Sequence, residues 1–432
     1  MTQGHDDKTR GHSRRDVLRY AGAGGLAVGS GAWLANMPAW AASYGDISGF
    51  MLSSQKDPLT QAIAGFESAN VGSTVAIEYS ASDQLPPATR VQLNAGTASD
   101  MITVWPGGGN ALAVRQLVPE GYLQDLTDRP WSGDIPPVFH PVMLVDGKHY
   151  FLSMQISMIG GITNLRTWNK LQGVSQPTTW SEFVAMCQKV KDQGVTPIAV
   201  GNGDAWVTQL ITYALVASTV FGRNPTFAEE HADGKHSFID SGWKEAMEKY
   251  VELQDRGFFN DNVNGTSNQE QIQMVANGDA LMMIMVSNQV PGILKAAGHN
   301  ELWQMPIPGS DNPAELQIPA SASSGLGVNA AGKNVDGAVA FLDYMATPDS
   351  VAAWGEISGL PTMLPGSATS HDHIYKDMMP LFRADKTAIY MDNKWPNSRV
   401  QQTHMAGIQE ILNKTATIDD VLKRMDEAYA EG

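Results

Sequence analysis

After residue 42 the chain alternates between strand-period and helix-period apolar patterns. Residues 47–52 form a short apolar run of strand length. Asp57-Pro58 then reads as a helix N-cap followed by proline at the first helical position, with Leu59, Ala62, Ile63 and Phe66 at helical spacing. Residues 74–79 alternate like a strand, and 90–95 read as a short helix closed by Gly96. Residues 101–105 form a buried strand, stopped by Pro106-Gly107-Gly108-Gly109. This β-α-β-α-β rhythm predicts an open α/β sheet. The glycine run reads as a flexible turn, because it fits neither the P-loop nor the dinucleotide spacing.

The same reading extends to the C-terminus. Thr179-Trp180-Ser181-Glu182 is a capping box, opening a helix with Phe183, Met186, Cys187 and Val190 on one face. Gly194 ends that helix and 196–200 start a strand. Ser241 caps a helix carrying Trp243, Met247, Tyr250 and Val251. Residues 280–286 are a Met-rich run of strand length. Asn334 caps a helix with Ala338, Phe341, Leu342 and Met345 that halts before Pro348. Thr417-x-x-Asp420 opens the last helix, with Leu422, Met425 and Tyr429 on one side. No Pro/Ser-rich linker divides the chain, so two lobes would require it to pass between them more than once.

Charge and composition narrow the class. The net charge is −16 and no long Lys/Arg cluster follows residue 20, which argues against nucleic acid and anionic membranes as partners. The single cysteine, Cys187, forms no intrachain disulfide and no Cys-based zinc site. Residues 1–42 read as an export signal: Ser13-Arg14-Arg15-Asp16-Val17-Leu18 precedes an uncharged Gly/Ala-rich stretch ending in Ala39-Trp40-Ala41-Ala42. The paired arginines resemble a twin-arginine signal. No cysteine stands at the cleavage point, so the mature protein is expected free in the periplasm or extracytoplasmic envelope, as a monomer without a lipid anchor. Cleavage removes Lys8, Arg10, Arg14, Arg15 and Arg19 but only Asp6, Asp7 and Asp16, taking the charge from −16 to −18.

Several motifs, in order, carry a family resemblance over roughly residues 45–430. These are Ala95-Gly96 before Asp100-Met101-Ile102, and Gly121-Tyr122-Leu123-Gln124-Asp125-Leu126. Thr163-Asn164 with Pro177-Thr178-Thr179-Trp180-Ser181-Glu182-Phe183 is the most specific. Gly278-Asp279-Ala280-Leu281-Met282 and Gly325-Leu326-Gly327-Val328-Asn329-Ala330 complete the set. The order resembles the family 1 extracellular solute-binding proteins of ABC importers, the group of maltose-binding protein. That resemblance implies a two-lobed α/β periplasmic-binding-protein fold with three interlobe crossovers and a ligand cleft between the lobes. The crossovers are expected near 151–155, 304–308 and 327–331. One lobe would hold 43–152 plus 307–328, the other 153–306 plus 329–432. The implied partners are a small-molecule sugar or polyol and the permease subunits of the transporter.

Sugars present hydroxyl pairs at the rim and C–H patches on the faces, so a site for them combines aromatic faces with carboxylates and amides. Gly201-Asn202-Gly203-Asp204-Ala205-Trp206 follows a strand, where open α/β sheets bind ligands. Asp204 is a candidate hydroxyl acceptor and Trp206 a stacking face, against a turn acid and a core indole. Trp105 ends another strand and reads equally as ligand face or core. By the resemblance, Ser324 and Asn288 face the opening. Many relatives carry an aromatic near the latter, whereas this chain has Val286-Ser287-Asn288-Gln289. Trp395 is a candidate substitute for that missing face and His404 a further candidate. Asp83 and Gln84 lie in the loop after the second strand, as contacts or plain surface. The ligand is then expected to be a short neutral carbohydrate, a mono- or disaccharide, or a polyol.

Three rivals remain. A carbohydrate-active enzyme would need paired carboxylates or a nucleophile with its base, and no G-x-S-x-G or other catalytic motif is present. A metal receptor would draw on His140, His149, His231, His236, His299, His371, His373 and His404, of which only His371-Asp372-His373 is close-set. The same fold binding glycerophosphate would call for cleft arginines, and a polyamine for an acidic aromatic cleft. No cofactor and no metal is expected.

Overall fold

The structure is a computed structural model that describes residues 43–366 and 368–432. The export-signal reading falls on residues outside that range. Among the described residues eleven strands build the two large sheets, beside a short two-stranded ribbon at 144–149: β1 (Asp46–Leu52), β2 (Thr74–Ser80), β3 (Met101–Val104), β4 (Phe151–Leu152), β5 (Ile156–Asn164), β6 (Thr196–Ile198), β7 (Ala280–Val286), β8 (Leu302–Met305), β9 (Ile318–Ala322), β10 (Gly325–Val328) and β11 (Thr387–Ile389). The first sheet runs β2-β1-β3-β10-β4, with β1 parallel to β2 and β3 and with β10 antiparallel. The second runs β11-β9-β5-β7-β6, with β8 also on β5. All nine residues of β5 are buried, as befits a strand with neighbours on both edges and layers on both faces.

The helices follow the apolar patterns closely. They include α1 (Lys56–Ala69), α2 (Leu85–Asn94), α3 (Trp180–Asp192), α4 (Gln209–Val216), α5 (Gly242–Asp255), α6 (Asn268–Asn277), α7 (Val335–Met345), α8 (Pro348–Ser358), α9 (Ser398–Leu412) and α10 (Ile418–Tyr429). Asn334, Ser241 and Thr417 accept first-turn N–H groups as caps do. Thr179 also caps, but the Glu182 carboxylate turns back to Thr178 rather than closing the box on Thr179. Asp57 is not a cap: α1 begins at Lys56, which puts Asp57 in its first turn, where a negative charge suits the helix dipole. Helix α2 begins five residues before the expected start, at Leu85, with prolines in its first turn.

Strand membership moves the expected lobe boundaries. Strand β9 pairs with β5 and β11, so 318–322 lie in the second sheet, not the first. The return to the first sheet falls at Ser323 and Ser324, not at 304–308. Pro319 hides β9 from a propensity reading, because proline argues against an interior strand. Helices α7 and α8, expected in the second lobe, belong to the first. Helix α7 packs on β1 and β10, and α8 packs on α1, so both cover the first sheet and no passage falls at 327–331. The chain leaves that lobe after Gly359, where Ile156 N–H bonds Pro361 O at 2.9 Å and Met363 N–H bonds Met154 O at 3.0 Å. Ser323 N–H reaches Gln155 O at 3.0 Å from the other side. Segments around residues 155, 323 and 362 therefore lie side by side between the lobes.

One motif turns out to be scaffolding. Asp100 accepts hydrogen bonds from the N–H and hydroxyl of Ser48 and from Asn334 N–H, tying β1, β3 and the start of α7 together.

Candidate functional site

Parallel strands point their carboxyl ends at the space between the lobes, and the loops that follow them carry the candidates. From the first lobe come Gln55 after β1, Asp83 and Gln84 after β2, and Trp105 with the glycine run after β3. From the second come 201–206 after β6, 287–289 after β7 and 390–396 after β11.

The loop after β6 is pressed against the start of α6. A Cβ on Gly201 would lie 2.6 Å from Ser267 O, and one on Gly203 2.8 Å from Thr266 O, so both positions need glycine. This close approach brings Asp204 Oδ2 within 2.6 Å of the Asn268 N–H in the first turn of α6. Asn268 in turn donates from Nδ2 to Gln289 Oε1 at 3.1 Å and accepts from Gln271 at 2.8 Å. Asp204 is thus both a fixed structural acceptor and a half-buried carboxylate with a second oxygen to offer. Trp206 is half-buried on the 3-10 turn Ala205–Val207 that follows.

The charge of Asp204 on the second lobe reaches Asp83 on the first. Partial burial pushes the Asp83 carboxyl above its usual range, and the charge of Asp204 pushes it further, although much of the residue is solvent-exposed. The two acids, one on each lobe, lie within Coulombic reach of each other. Gln84 is exposed beside Asp83, at the N-cap position of α2 without a capping bond. Trp105 is half-buried, held by backbone bonds to Leu112 and Val114.

Asn288 and Ser324 lie at the segments joining the lobes. Asn288 Nδ2 donates to Ser323 Oγ at 2.6 Å, and Ser324 O accepts from Gln55 Nε2 at 3.2 Å. Gln55, which the sequence reading missed, is buried with Oε1 unpartnered among the described residues. The available signal was its place directly after a strand's carboxyl end.

Two candidates belong to the core instead. Trp395 is 4% exposed, with its ring 6.0 Å from Tyr213, 6.0 Å from Phe238 and 5.9 Å from Trp243. His404 is fully buried and stacks on Tyr213 at 5.6 Å and 9°. Both its ring nitrogens lack partners among the described residues, and burial pushes its pKa down to about 3. It acts as a flat neutral ring. Beside this cluster Asp392 is buried, and burial pushes its carboxyl up to about 7.

The glycine run is a contact surface rather than a flexible turn. Gly108 N–H bonds Asn393 O at 3.1 Å, and a Cβ on Gly108 would lie 2.6 Å from Trp395 O. Cβ atoms on Gly107 and Gly109 would collide with the backbone of Asn393 and Asp392. Nearby, Gln116 Nε2 bridges Gly108 O at 2.8 Å and Pro396 O at 3.2 Å. Phe139 stacks on Phe382 across the same seam, at 5.7 Å.

A groove of about 420 Å³ lies elsewhere, lined by Val251, Leu412 and Ile418, and borders none of these candidates. Among the described residues no cluster of three or more His, Cys, Asp or Glu is arranged to hold a metal. Among the same residues, no helix is long and apolar enough to cross a membrane.

Comparison with known proteins bears on the family and the fold. The family model for bacterial extracellular solute-binding proteins matches residues 61–380. The multiple sugar-binding protein of Streptococcus mutans is 21% identical over 308 residues, covering 71% of this chain and 72% of that protein. Among solved structures, a chitin oligosaccharide binding protein is 20% identical with a TM-score of 0.75, over 89% of this chain and 98% of that one. The bacterial solute receptor AcbH, described as exclusively preferring β-D-galactopyranose, is 17% identical with a TM-score of 0.77, over 90% and 99%. At such identities the two structures show a shared two-lobed fold.

Proposed function

Because this chain belongs to the family of bacterial extracellular solute-binding proteins, we propose that it is the sugar receptor of an ABC importer, loading a short neutral carbohydrate between its lobes. The carrying observation is the convergence of strand-end loops from both sheets, which brings the charge of Asp204 within reach of Asp83, with Trp206 on the turn that directly follows Asp204. Asp204 accepts sugar hydroxyls through the oxygen not held by Asn268, and Trp206 covers a ring face. Trp105 supplies a second face, while Asn288, Ser324, Asp83 and Gln84 serve as polar rim.

Relatives bracket the ligand's size, from β-D-galactopyranose for AcbH to chitin oligosaccharides for another neighbour. Removing Trp395 from the wall leaves fewer stacking faces, which favours a mono- or disaccharide. Ligand contacts from both lobes exist together only when the lobes are close, so binding shifts the hinge equilibrium toward closure. The transporter's membrane subunits then read closure as loading. The Arg14-Arg15 leader directs export in this reading, and N-terminal sequencing of the exported protein should begin near residue 43.

The test is a thermal-shift panel on the mature chain with galactose, raffinose and N-acetylglucosamine oligomers. Binding to the folded form raises the midpoint by mass action, and one of these sugars should do so. A midpoint indifferent to every neutral sugar would refute the proposal.

A further inference from the structure

We propose that Asn288, Ser323, Gln155 and Trp354 form a side-chain relay through the hinge that sets how far apart the two lobes stand. It rests on the reading of the protein as a two-lobed receptor, and makes Ser323 and Gln155 positioning residues rather than ligand contacts.

The relay starts in the second lobe. Asn288 follows β7 and donates to Ser323 Oγ at 2.6 Å. Ser323 lies on the segment joining β9 of one sheet to β10 of the other. Its hydroxyl also accepts from Gln155 Nε2 at 3.4 Å, and Gln155 lies on the segment joining β4 to β5. Gln155 Oε1 accepts from Trp354 Nε1 at 2.9 Å, on α8 of the first lobe. The indole N–H donates only, so it fixes the orientation of the Gln155 amide: oxygen toward Trp354, nitrogen toward Ser323.

Burial gives these bonds leverage. Ser323, Gln155 and Trp354 are each at most 5% exposed, where directional bonds are stronger and a missing partner is costly. The relay crosses at the point where three chain segments run side by side. Gln155 pairs with Thr362 on one side, and its carbonyl receives Ser323 N–H at 3.0 Å on the other. A twist between the lobes must therefore alter these side-chain distances.

At its cleft end the relay meets the site. Next to Asn288, Gln289 holds Asn268, and Asn268 N–H holds Asp204. Asn288 Oδ1 is shielded and unpartnered among the described residues, so the amide gains a bond from any rearrangement that brings a donor to it. Occupancy at Asp204 and tension at the hinge thus meet at one loop.

The experiment needs no ligand. Spin labels at Val91→Cys and Lys170→Cys, both exposed and one on each lobe, report interlobe distance in the mature chain. Native Cys187 stays unlabelled, being buried with its thiol pKa pushed up. Ser323→Ala and Asn288→Ala should each shift the ratio of interlobe populations by about fivefold, the effect of one net hydrogen bond, and the double variant no further. Ser323→Thr, which keeps the hydroxyl, should restore the parental distribution. The Trp354 indole N–H resonance, identified by its loss in Trp354→Phe, should move in Ser323→Ala and Asn288→Ala alike. Folded variants with the parental distribution and resonance, or with additive shifts, would overturn the relay. Asn288 is a half-exposed loop residue, so Asn288→Ala decides the matter if Ser323→Ala fails to fold. Failure of the sugar panel with these shifts present would count against the sugar, not the relay.

Discussion

Placing an alanine at Gly108 tests whether the lobes meet at the glycine run. Gly108 has an ordinary negative-φ backbone, so the substitution introduces no conformational strain of its own. The new Cβ would lie 2.6 Å from Trp395 O, against 3.4 Å for ordinary contact, so the loop must retreat by about 0.8 Å. That retreat stretches the 3.1 Å bond from Gly108 N–H to Asn393 O. Overpacking of this kind costs about 1–3 kcal/mol, and a lost hydrogen bond about 1 kcal/mol more. The penalty of ~2–4 kcal/mol falls on the contact between lobes, not on either core. A hinged molecule relieves it by parting the lobes, so small-angle scattering should show an increased radius of gyration with little change in melting temperature. A molecule whose lobes are fused cannot yield. For about 390 residues at ~2 cal/mol/K each, its midpoint would fall by roughly 3–5 °C with unchanged compactness. That second pattern would refute the reasoning.

Other predictions follow from the same geometry. Trp206→Ala should weaken sugar binding by about 5- to 150-fold in calorimetry while leaving the protein folded, whereas unchanged affinity would remove Trp206 from the site. Asp204→Ala should weaken binding and also loosen α6, because its carboxylate holds Asn268 N–H; amide exchange at the first turn of α6 separates the two effects. Two buried groups, His404 and Asp392, act in opposite directions with pH. From pH 6.5 down to about 3 the unfolded chain protonates His404 while the folded chain does not, so acid weakens the fold. From about pH 3.8 to 7 the folded chain keeps the Asp392 proton that the unfolded chain releases, so rising pH weakens it. Each slope is at most ~1.4 kcal/mol per pH unit. Urea denaturation from pH 4 to 7 should therefore show acid loss steepened in Asp392→Asn and flattened in His404→Phe; the reverse signs would refute both assignments.

The sequence made the local elements legible and the wiring between them less so. Apolar period and caps located β7, α7 and α10 closely, because those signals are set by neighbouring residues. The lobe boundaries depended on β9, whose Pro319 conceals a strand held by its two partners. Motifs placed Asp204 and Trp206 on a strand-end loop, where the fold confirms their position. Trp395 and His404 misled because an aromatic serves a core and a sugar face equally well, and only burial separates the two. The glycine run misled in the other direction: the same residues that free a turn also let two backbones touch, and the partner segment lies almost 300 residues away. Gln55, Gln155 and Ser323 carried no motif, since their meaning comes from segments distant in the chain.

The central claim is capture of a sugar between two lobes. Its most direct measurement is small-angle scattering of the mature chain, titrated with a sugar that calorimetry shows to bind. The radius of gyration should fall saturably along the binding isotherm, and in Trp206→Ala the fall should move to higher sugar concentration with the weakened affinity. A sugar that saturates the protein while the radius of gyration stays constant would contradict it.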